Sequence, residues 1–319
     1  MSALNKTRVV TIICWAISAV ALLGLIAWVL ASGLFGFGTG WDFGIGTFEP
    51  VGEHSVSADN IEALSIDWTS GRVYIGRHSG NEIQITEFAR RTLRDGEHLR
   101  LNTDGGTLTI EFTERYRFFG GNTLTKQLEV LIPYAYSESF ERFYINTTSG
   151  RIAIRDIEAD VFTAATTSGR IELNGIAAQA LSASTTSGRI ELLDARAEDI
   201  QLRTTSGRIE VRDAQAQTLR THTTSGRHAL SGSFHEVNAR STSGRLEITS
   251  TIVPNRLTAH ASSGRIEITV PNEGTISVQY STGSGRFTST MPVVTHAGAD
   301  AQFDLSTGSG RISIYTLAG

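Results

Sequence analysis

The regular spacing of arginine is the feature of this sequence that most clearly suggests ligand binding. The tripeptide Ser-Gly-Arg occurs ten times, and from Gly150 onward its glycines recur every 18 to 25 residues. A row of evenly spaced guanidinium groups is a candidate surface for an anionic polymer such as a teichoic acid, lipopolysaccharide or a uronic-acid glycan. The glycines of the ten copies are Gly71, Gly150, Gly169, Gly188, Gly207, Gly226, Gly244, Gly264, Gly285 and Gly310.

A second, acidic row weakens the case for anion binding. Five of the arginines are followed two residues later by glutamate, as in Arg170 and Glu172. Because alternating rows of opposite charge neutralise each other, this pattern favours a structural role for the motif. From Gly150 onward four arginines lack that glutamate, and these are the predicted anion-binding candidates: Arg151, Arg227, Arg286 and Arg311.

One histidine interrupts an otherwise apolar position. His228 stands two residues after Gly226, where the other repeats have Ile, Leu, Val or Phe. A buried histidine with a hydrogen-bond partner accounts for it, and the alternative is a pH-sensitive or metal-binding residue. His222 faces outward by strand alternation and does not converge with His228, so the sequence predicts neither a metal site nor a cofactor site.

Catalysis is disfavoured by the placement of the carboxylates. Some β-helical proteins are polysaccharide lyases or hydrolases, and these need clustered carboxylates, or basic residues with a metal, that depart from the repeat. Here Asp194, Asp199 and Asp213 lie near predicted corners, where Asp is common in turns. The sequence has no P-loop, nucleophile elbow or HExxH motif, so we predict no catalytic residue.

The residues around each glycine alternate as in half-buried strands. The second and fourth residues after the glycine are apolar, and the residues between them are polar. The seventh, fifth and third residues before the glycine continue the pattern, as in Phe162, Ala164 and Thr166. Each unit therefore contains two short strands joined by a Ser-Gly corner, where glycine provides positive φ. A second corner follows about six residues later, as at Asp194 and Asp213.

Two architectures fit this repeat. One is a parallel β-solenoid of about 19-residue coils stacked about 4.8 Å apart. The other is an array of β-hairpins with Thr-Ser-Gly-Arg as the turn. The constant unit length favours the solenoid, since identical coils stack identical residues. We predict regular repeats over 133–319, after an atypical N-terminal β cap region over 58–132 with a turn at Asp104-Gly105.

The N-terminal segment has the properties of a membrane anchor. Residues 9–31 carry no charge and are long enough to span a bilayer as an α-helix. Lys6 and Arg8 precede the segment and no basic residue follows until Arg72, which predicts a cytoplasmic tail over 1–8 and an extracytoplasmic C-terminal part. The alternative is a cleaved signal peptide, for which the apolar run is too long. A Gly-rich juxtamembrane linker is expected over 32–57.

Charge and cysteine content narrow the function classes further. From residue 41 onward the chain carries 26 basic and 32 acidic residues, which argues against nucleic acid as a partner. The single cysteine, Cys14, lies in the apolar segment, so the rest of the chain has no internal disulfide and no thiolate site.

The repeated Thr-Thr-Ser-Gly-Arg-Ile-Glu-Leu motif, preceded by Leu128–Pro133, resembles the bacterial "putative adhesin" family of β-strand-repeat proteins of unknown function. The resemblance extends from about Ile61 to the C-terminus and implies a β-solenoid exposed at the cell envelope, with no catalytic residues. Relatives look connected with envelope-stress systems, and adhesion is a suggested role.

Two non-enzymatic functions are therefore expected, and one enzymatic function is less favoured. The first is presentation of an extracytoplasmic β-solenoid for adhesion or for binding an anionic envelope glycan or another envelope protein. The second is an envelope-stress sensor or scaffold that acts through membrane protein partners. The third is a carbohydrate-active β-helix enzyme.

Overall fold

The described part of the protein is built from β-strands alone. The computed structural model describes residues 47–112, 124–136, 140–294 and 299–317, and it has no helix in these ranges. No helix that could cross a membrane is therefore present among them. The predicted tail, the transmembrane helix over 9–31 and most of the linker lie outside the described residues. The end of that linker, Glu49–Ser57, is a strand.

Twelve strands form one sheet. They are β1 (Glu49–Ser57), β2 (Ala63–His78), β3 (Glu82–Ala89), β4 (Arg100–Asp104), β5 (Thr107–Phe112), β6 (Lys126–Pro133), β7 (Phe140–Leu193), β8 (Arg196–Ser250), β9 (Arg256–Val270), β10 (Ile276–Ser289), β11 (Val293–Val294) and β12 (Ala301–Thr316). Their spatial order is β1-β3-β6-β2-β7-β8-β9-β12-β10-β11, and β5 pairs with both β2 and β4. The turn predicted at Asp104-Gly105 is confirmed, since Asp104 pairs with Thr107 across β4 and β5.

Successive repeats pair in parallel and in register. Gly188 lies opposite Gly207, and Gly244 lies opposite Gly264, with the flanking strands matched residue by residue. Thr-Ser-Gly-Arg is therefore not a hairpin turn, because it pairs with the same motif of the next unit. The predicted alternation is confirmed: Ile190 and Leu192 after the glycine, and Leu181 and Ala183 before it, are buried in one continuous apolar core.

Contact between neighbouring glycines explains why this residue recurs. A Cβ atom built on any Ser-Gly-Arg glycine from Gly150 onward would lie 1.6–1.8 Å from the carbonyl oxygen of the glycine on the adjacent repeat. We call this column of contacts the glycine ladder. No side chain fits at that separation, and the obstructing atom belongs to the backbone, so it cannot rotate away. The ladder therefore requires glycine on every repeat.

The conformational reason predicted for the glycines is confirmed at most of them, and this contact adds a second reason. Seven of the ten have a left-handed φ, between +108° at Gly71 and +159° at Gly207. Gly188, Gly226 and Gly285 do not, yet each makes the same close approach to its neighbour. Positive φ is thus common at this position, but the neighbouring carbonyl is the constraint that all nine glycines from Gly150 onward share.

The second corner is also confirmed, and there the backbone conformation is decisive. Asp156, Asp194 and Asp213, each six residues after a ladder glycine, have φ of 56°, 47° and 54°. Gly175 holds the equivalent place in the intervening repeat with φ of 66°. Asp tolerates the left-handed region better than most residues because its short side chain can bond locally to the backbone.

The first rung of the ladder is covered by Lys126. The Lys126 carbonyl oxygen lies 1.8 Å from the Cβ position of Gly71, where later repeats have a glycine carbonyl, and it accepts a hydrogen bond from Trp68 Nε1 at 3.3 Å. The Lys126 side chain is fully buried, forms an ion pair with Glu87 and lies 3.5 Å from the Phe112 ring centroid. Burial lowers the pKa of Lys126, and the hydrogen bond that it donates to Glu87 opposes that shift.

The last two repeats are exchanged in space. Consecutive stacking would place β10 against β9, but β12 pairs with β9 and β10 lies beyond it. Gly310 consequently sits between Gly264 and Gly285 in the ladder. The exchange buries the more apolar unit and leaves the more polar β10 near the edge, with Tyr280 exposed. The buried side chains of that apolar unit include Phe303, Leu305, Ile312 and Ile314.

Gly188→Ala tests the glycine ladder without adding the backbone strain that alanine has at a left-handed φ. Because Gly188 does not have a left-handed φ, its conformation is open to alanine, and the Gly169 carbonyl at 1.7 Å obstructs the methyl group. We expect the free energy of unfolding, measured by denaturant titration, to fall by about 3 kcal/mol or more.

The matched control is Ser187→Ala, one residue earlier and exposed. It should change stability by less than about 0.5 kcal/mol. Equal stability of Gly188→Ala and the wild type would contradict the steric account.

Candidate ligand-binding surfaces

Four of the five arginines that are followed two residues later by glutamate form an ion pair with it within a single repeat. Arg189 Nη1 lies 2.9 Å from Glu191, and the corresponding pairs on other repeats, Arg170–Glu172, Arg245–Glu247 and Arg265–Glu267, span 3.0–3.3 Å. This arrangement confirms the neutralised outer face that alternation predicted. Exposed pairs of this kind each contribute about 0–1 kcal/mol to stability.

Two of the four arginines without a glutamate of their own use the glutamate of the next repeat. Arg151 pairs with Glu172, and Arg227 makes a bidentate contact with Glu247 at 2.7–3.1 Å. Although burial acts to raise it, the pKa of Glu172 is held below its usual range by hydrogen bonds from Arg151 and Arg170. Arg151 and Arg227 therefore each have a carboxylate partner that the sequence did not predict, and their anion-binding role stays a prediction.

Arg286 and Arg311 differ from the other two. They lie opposite each other on β10 and β12, with Thr288 and Ser313 at the positions that glutamate takes elsewhere. Among the residues that the structure describes, neither has a carboxylate within 4 Å. They remain the predicted anion-binding candidates on this face, at the exchanged end of the sheet.

A shallow groove crosses the strands after the second corner. It has a volume of about 540 Å³, and its floor consists of alanines that occupy one position on four successive repeats: Ala159, Ala178, Ala197 and Ala216. Glu158, Asp160 and Glu198 line its sides. All three carboxylates are exposed, so they lack the water-excluding enclosure that carboxylate catalysis uses.

His228 is a buried core residue. Its Nδ1 atom lies 2.8 Å from Thr221 Oγ1, while Nε2 has no partner among the described residues. Burial lowers the pKa of His228 to about 4, with a smaller contribution from His222. The prediction of a buried histidine with a hydrogen-bond partner is confirmed. Within the described ranges no three His, Cys, Asp or Glu side chains are grouped so that they could hold a metal ion.

Sequence reasoning missed a second line of basic residues. Arg203, His222, Arg240 and His260 each lie four positions before a ladder glycine on four successive repeats, and we call them the basic row. The same position is Ala165 and Ser184 on earlier repeats. Comparing one position across repeats would have revealed the row, whereas the alternation was used only to place His222 on the outer side.

The chain matches the model of a family described as Toastrack DUF4097 over residues 61–315. The chain belongs to the Toastrack family. This match confirms the resemblance inferred from the repeated motif, within a family whose function is unknown. No curated protein matches the Toastrack chain in sequence.

Three solved bacterial structures are similar to this Toastrack protein. A putative adhesin from Bacteroides fragilis is 11% identical, with 83% of this chain and 96% of that chain covered and a TM-score of 0.47. A putative lipid binding protein from Parabacteroides distasonis is 14% identical, with 86% and 98% covered and a TM-score of 0.43. A putative adhesin from the same species is 11% identical, with 84% and 98% covered and a TM-score of 0.38.

His228→Ile tests the buried histidine through the pH dependence of stability. The unfolded chain takes up a proton near pH 6.5, whereas folded His228 does so only near pH 4. The wild type should therefore lose stability as the pH falls through this interval, by about 3 kcal/mol at most, and the variant should lack that loss. Denaturant titrations from pH 7 to pH 4 measure the difference between the two proteins.

His222→Gln is the control, because His222 is exposed. It should keep the acid-induced loss. A His228→Ile protein that loses as much stability as the wild type would show that His228 does not titrate as described.

Proposed function

We propose that this Toastrack chain is a non-enzymatic protein of the cell envelope, anchored by residues 9–31, whose repeats wind into a β-solenoid that binds envelope components. The membrane anchor and its orientation rest on the sequence. The solenoid and the binding role are supported both by the sequence and by the pairing of the described residues.

The in-register parallel pairing of successive units supports the solenoid. For units of about 19 residues to pair in parallel, the chain must complete one full turn in each unit, so that the next strand begins beside the previous one. The two corners in each unit change the direction of the chain and allow this turn. Gly207 and Asp213 are one such pair of corners, with Gly188 and Asp194 in the repeat before. A stack of this kind buries one continuous core. Equivalent residues of successive repeats lie next to each other on its outer surface.

The observation that carries the binding role is the repetition of the outer faces. Outward positions recur in register on neighbouring repeats, as in Arg189 opposite Arg208 and Glu191 opposite Glu210. A ligand that is itself a repeating polymer can contact several equivalent positions at once, so weak single contacts add up to useful affinity. The carboxylates that line the alanine-floored groove are exposed, which favours binding over bond cleavage.

Direct binding to purified envelope polymers tests this proposal. The full-length protein is titrated with a panel of anionic polymers, neutral glycans and envelope proteins, and each polymer is recovered and sized afterwards. We expect saturable binding to at least one component with its chain length unchanged. Shortening of a bound polymer would support the enzyme instead, and failure to bind any member of the panel would contradict the binding role.

A further inference from the structure

The basic row differs from the arginines of the repeated motif because it lacks a matching row of carboxylates. Arg240 pairs in register with His260, and Arg203 lies beside Ser184. His260 Nε2 is 3.6 Å from Asp304, whereas no acidic group lies within 4 Å of Arg203 or Arg240 in the described part of the chain. The row therefore presents positive charge that the protein leaves largely uncompensated.

The fold does not require a base at these positions. The position is Ala165 and Ser184 on the repeats before the row, and Ser306 and Ser281 on the repeats after it. Stacked like charges repel, so an uncompensated row costs stability. A row that costs stability and that other repeats omit is better explained by a ligand than by folding.

The order of the row limits that repulsion. Arginine alternates with histidine, so Arg203 and Arg240 are two repeats apart, about 9.6 Å at the usual strand spacing. That separation is close to the screening length at physiological ionic strength. Between them His222 offers ring nitrogens that can hydrogen-bond a ligand. The row can therefore hold two full charges along a line without placing them side by side.

Two adjoining grooves run along the row. A groove of about 270 Å³ includes Arg203 and His222, and one of about 630 Å³ includes His222, Arg240 and His260. His222 is shared, so the two form one track across successive repeats. Among the described residues, no carboxylate and no aromatic ring other than histidine lines either groove. The remaining lining residues are mainly hydroxyl-bearing, such as Ser184, Thr205, Thr224, Thr242, Ser262 and Ser306.

From this geometry we infer that the basic row and its grooves bind a linear phosphodiester polymer lying across the strands. Arginine together with Ser and Thr hydroxyls is the donor set that contacts phosphate oxygens, and charged pairs of this kind are the stronger hydrogen bonds. Single-stranded nucleic acid is disfavoured because its bases would have no aromatic side chain in the described grooves, other than histidine, on which to stack. The inference rests on the proposed binding function and names its site and ligand class.

The test compares two double variants that remove the same charge from different positions of the repeat. Arg203→Ser with Arg240→Ser disables the basic row, and serine already occupies that position at Ser184 and Ser306. Arg142→Ser with Arg256→Ser is the matched control, because both arginines are exposed and neither lines either groove. Each full-length protein is titrated with a synthetic glycerol-phosphate oligomer and with polygalacturonate at several salt concentrations, after thermal unfolding shows that it is folded.

The basic-row variant should bind the glycerol-phosphate oligomer about tenfold or more weakly than the wild type. The slope of log affinity against log salt should become shallower by about 1 to 2, since two phosphate contacts are lost. The control variant should bind as the wild type does, and polygalacturonate should bind more weakly than the phosphodiester.

Three results would overturn the inference while leaving the proposed function intact. One is loss of binding in the control variant alone, which would place the site outside the basic row. Another is tighter binding of polygalacturonate, which would replace phosphate with carboxylate as the ligand chemistry. The third is absence of phosphodiester binding by a wild type that binds another envelope component. Absence of binding to every envelope component would instead remove the proposed function itself.

Discussion

The close approach of one glycine to the carbonyl of the next is the constraint on which the rest of this structure depends. At 1.6–1.8 Å from a Cβ position, the neighbouring oxygen admits only hydrogen at that place. The contact therefore fixes both the residue type and the register, because a shift by one residue would set a side chain against the carbonyl. It extends from Lys126 above Gly71 to Gly285 at the far end.

Register in turn determines what the faces can do. Once the glycines are aligned, Ile and Leu stack inside the sheet while arginine and glutamate stack outside, and the ion pairs form within and between repeats. The same alignment places Arg203, His222, Arg240 and His260 in one line. In the proposed binding role, variation at an aligned position supplies the ligand contacts, while the glycines maintain the alignment.

Much of this fold can be predicted from the sequence, because the same pattern of apolar, polar and turn residues recurs in each repeat. The buried positions around Gly188, the corner at Asp194 and the turn at Asp104-Gly105 were each predicted from local residue types. Those features depend on alternation and turn chemistry, which act over a few residues.

The features that could not be predicted depend on pairings between distant segments. The Glu172 that pairs with Arg151 belongs to another repeat, and the Lys126 that covers Gly71 lies on β6, far along the chain. The exchange of β10 and β12 is of the same kind, because either unit has the glycine needed to continue the ladder. The two units differ in apolar content. That difference predicts their order only if it is known that one of them lies near the exposed edge of the sheet.

Disulfide trapping of neighbouring repeats tests most directly whether the glycine ladder fixes their register. In a Cys14→Ser background, cysteines at Ser263 and Ser309 would lie opposite each other on paired parallel strands, within the reach of a disulfide. The glycine ladder predicts rapid cross-linking of Ser263→Cys with Ser309→Cys and none of Ser263→Cys with Arg311→Cys, which lies two residues further along β12. Cross-linking of the second pair in place of the first would contradict this account.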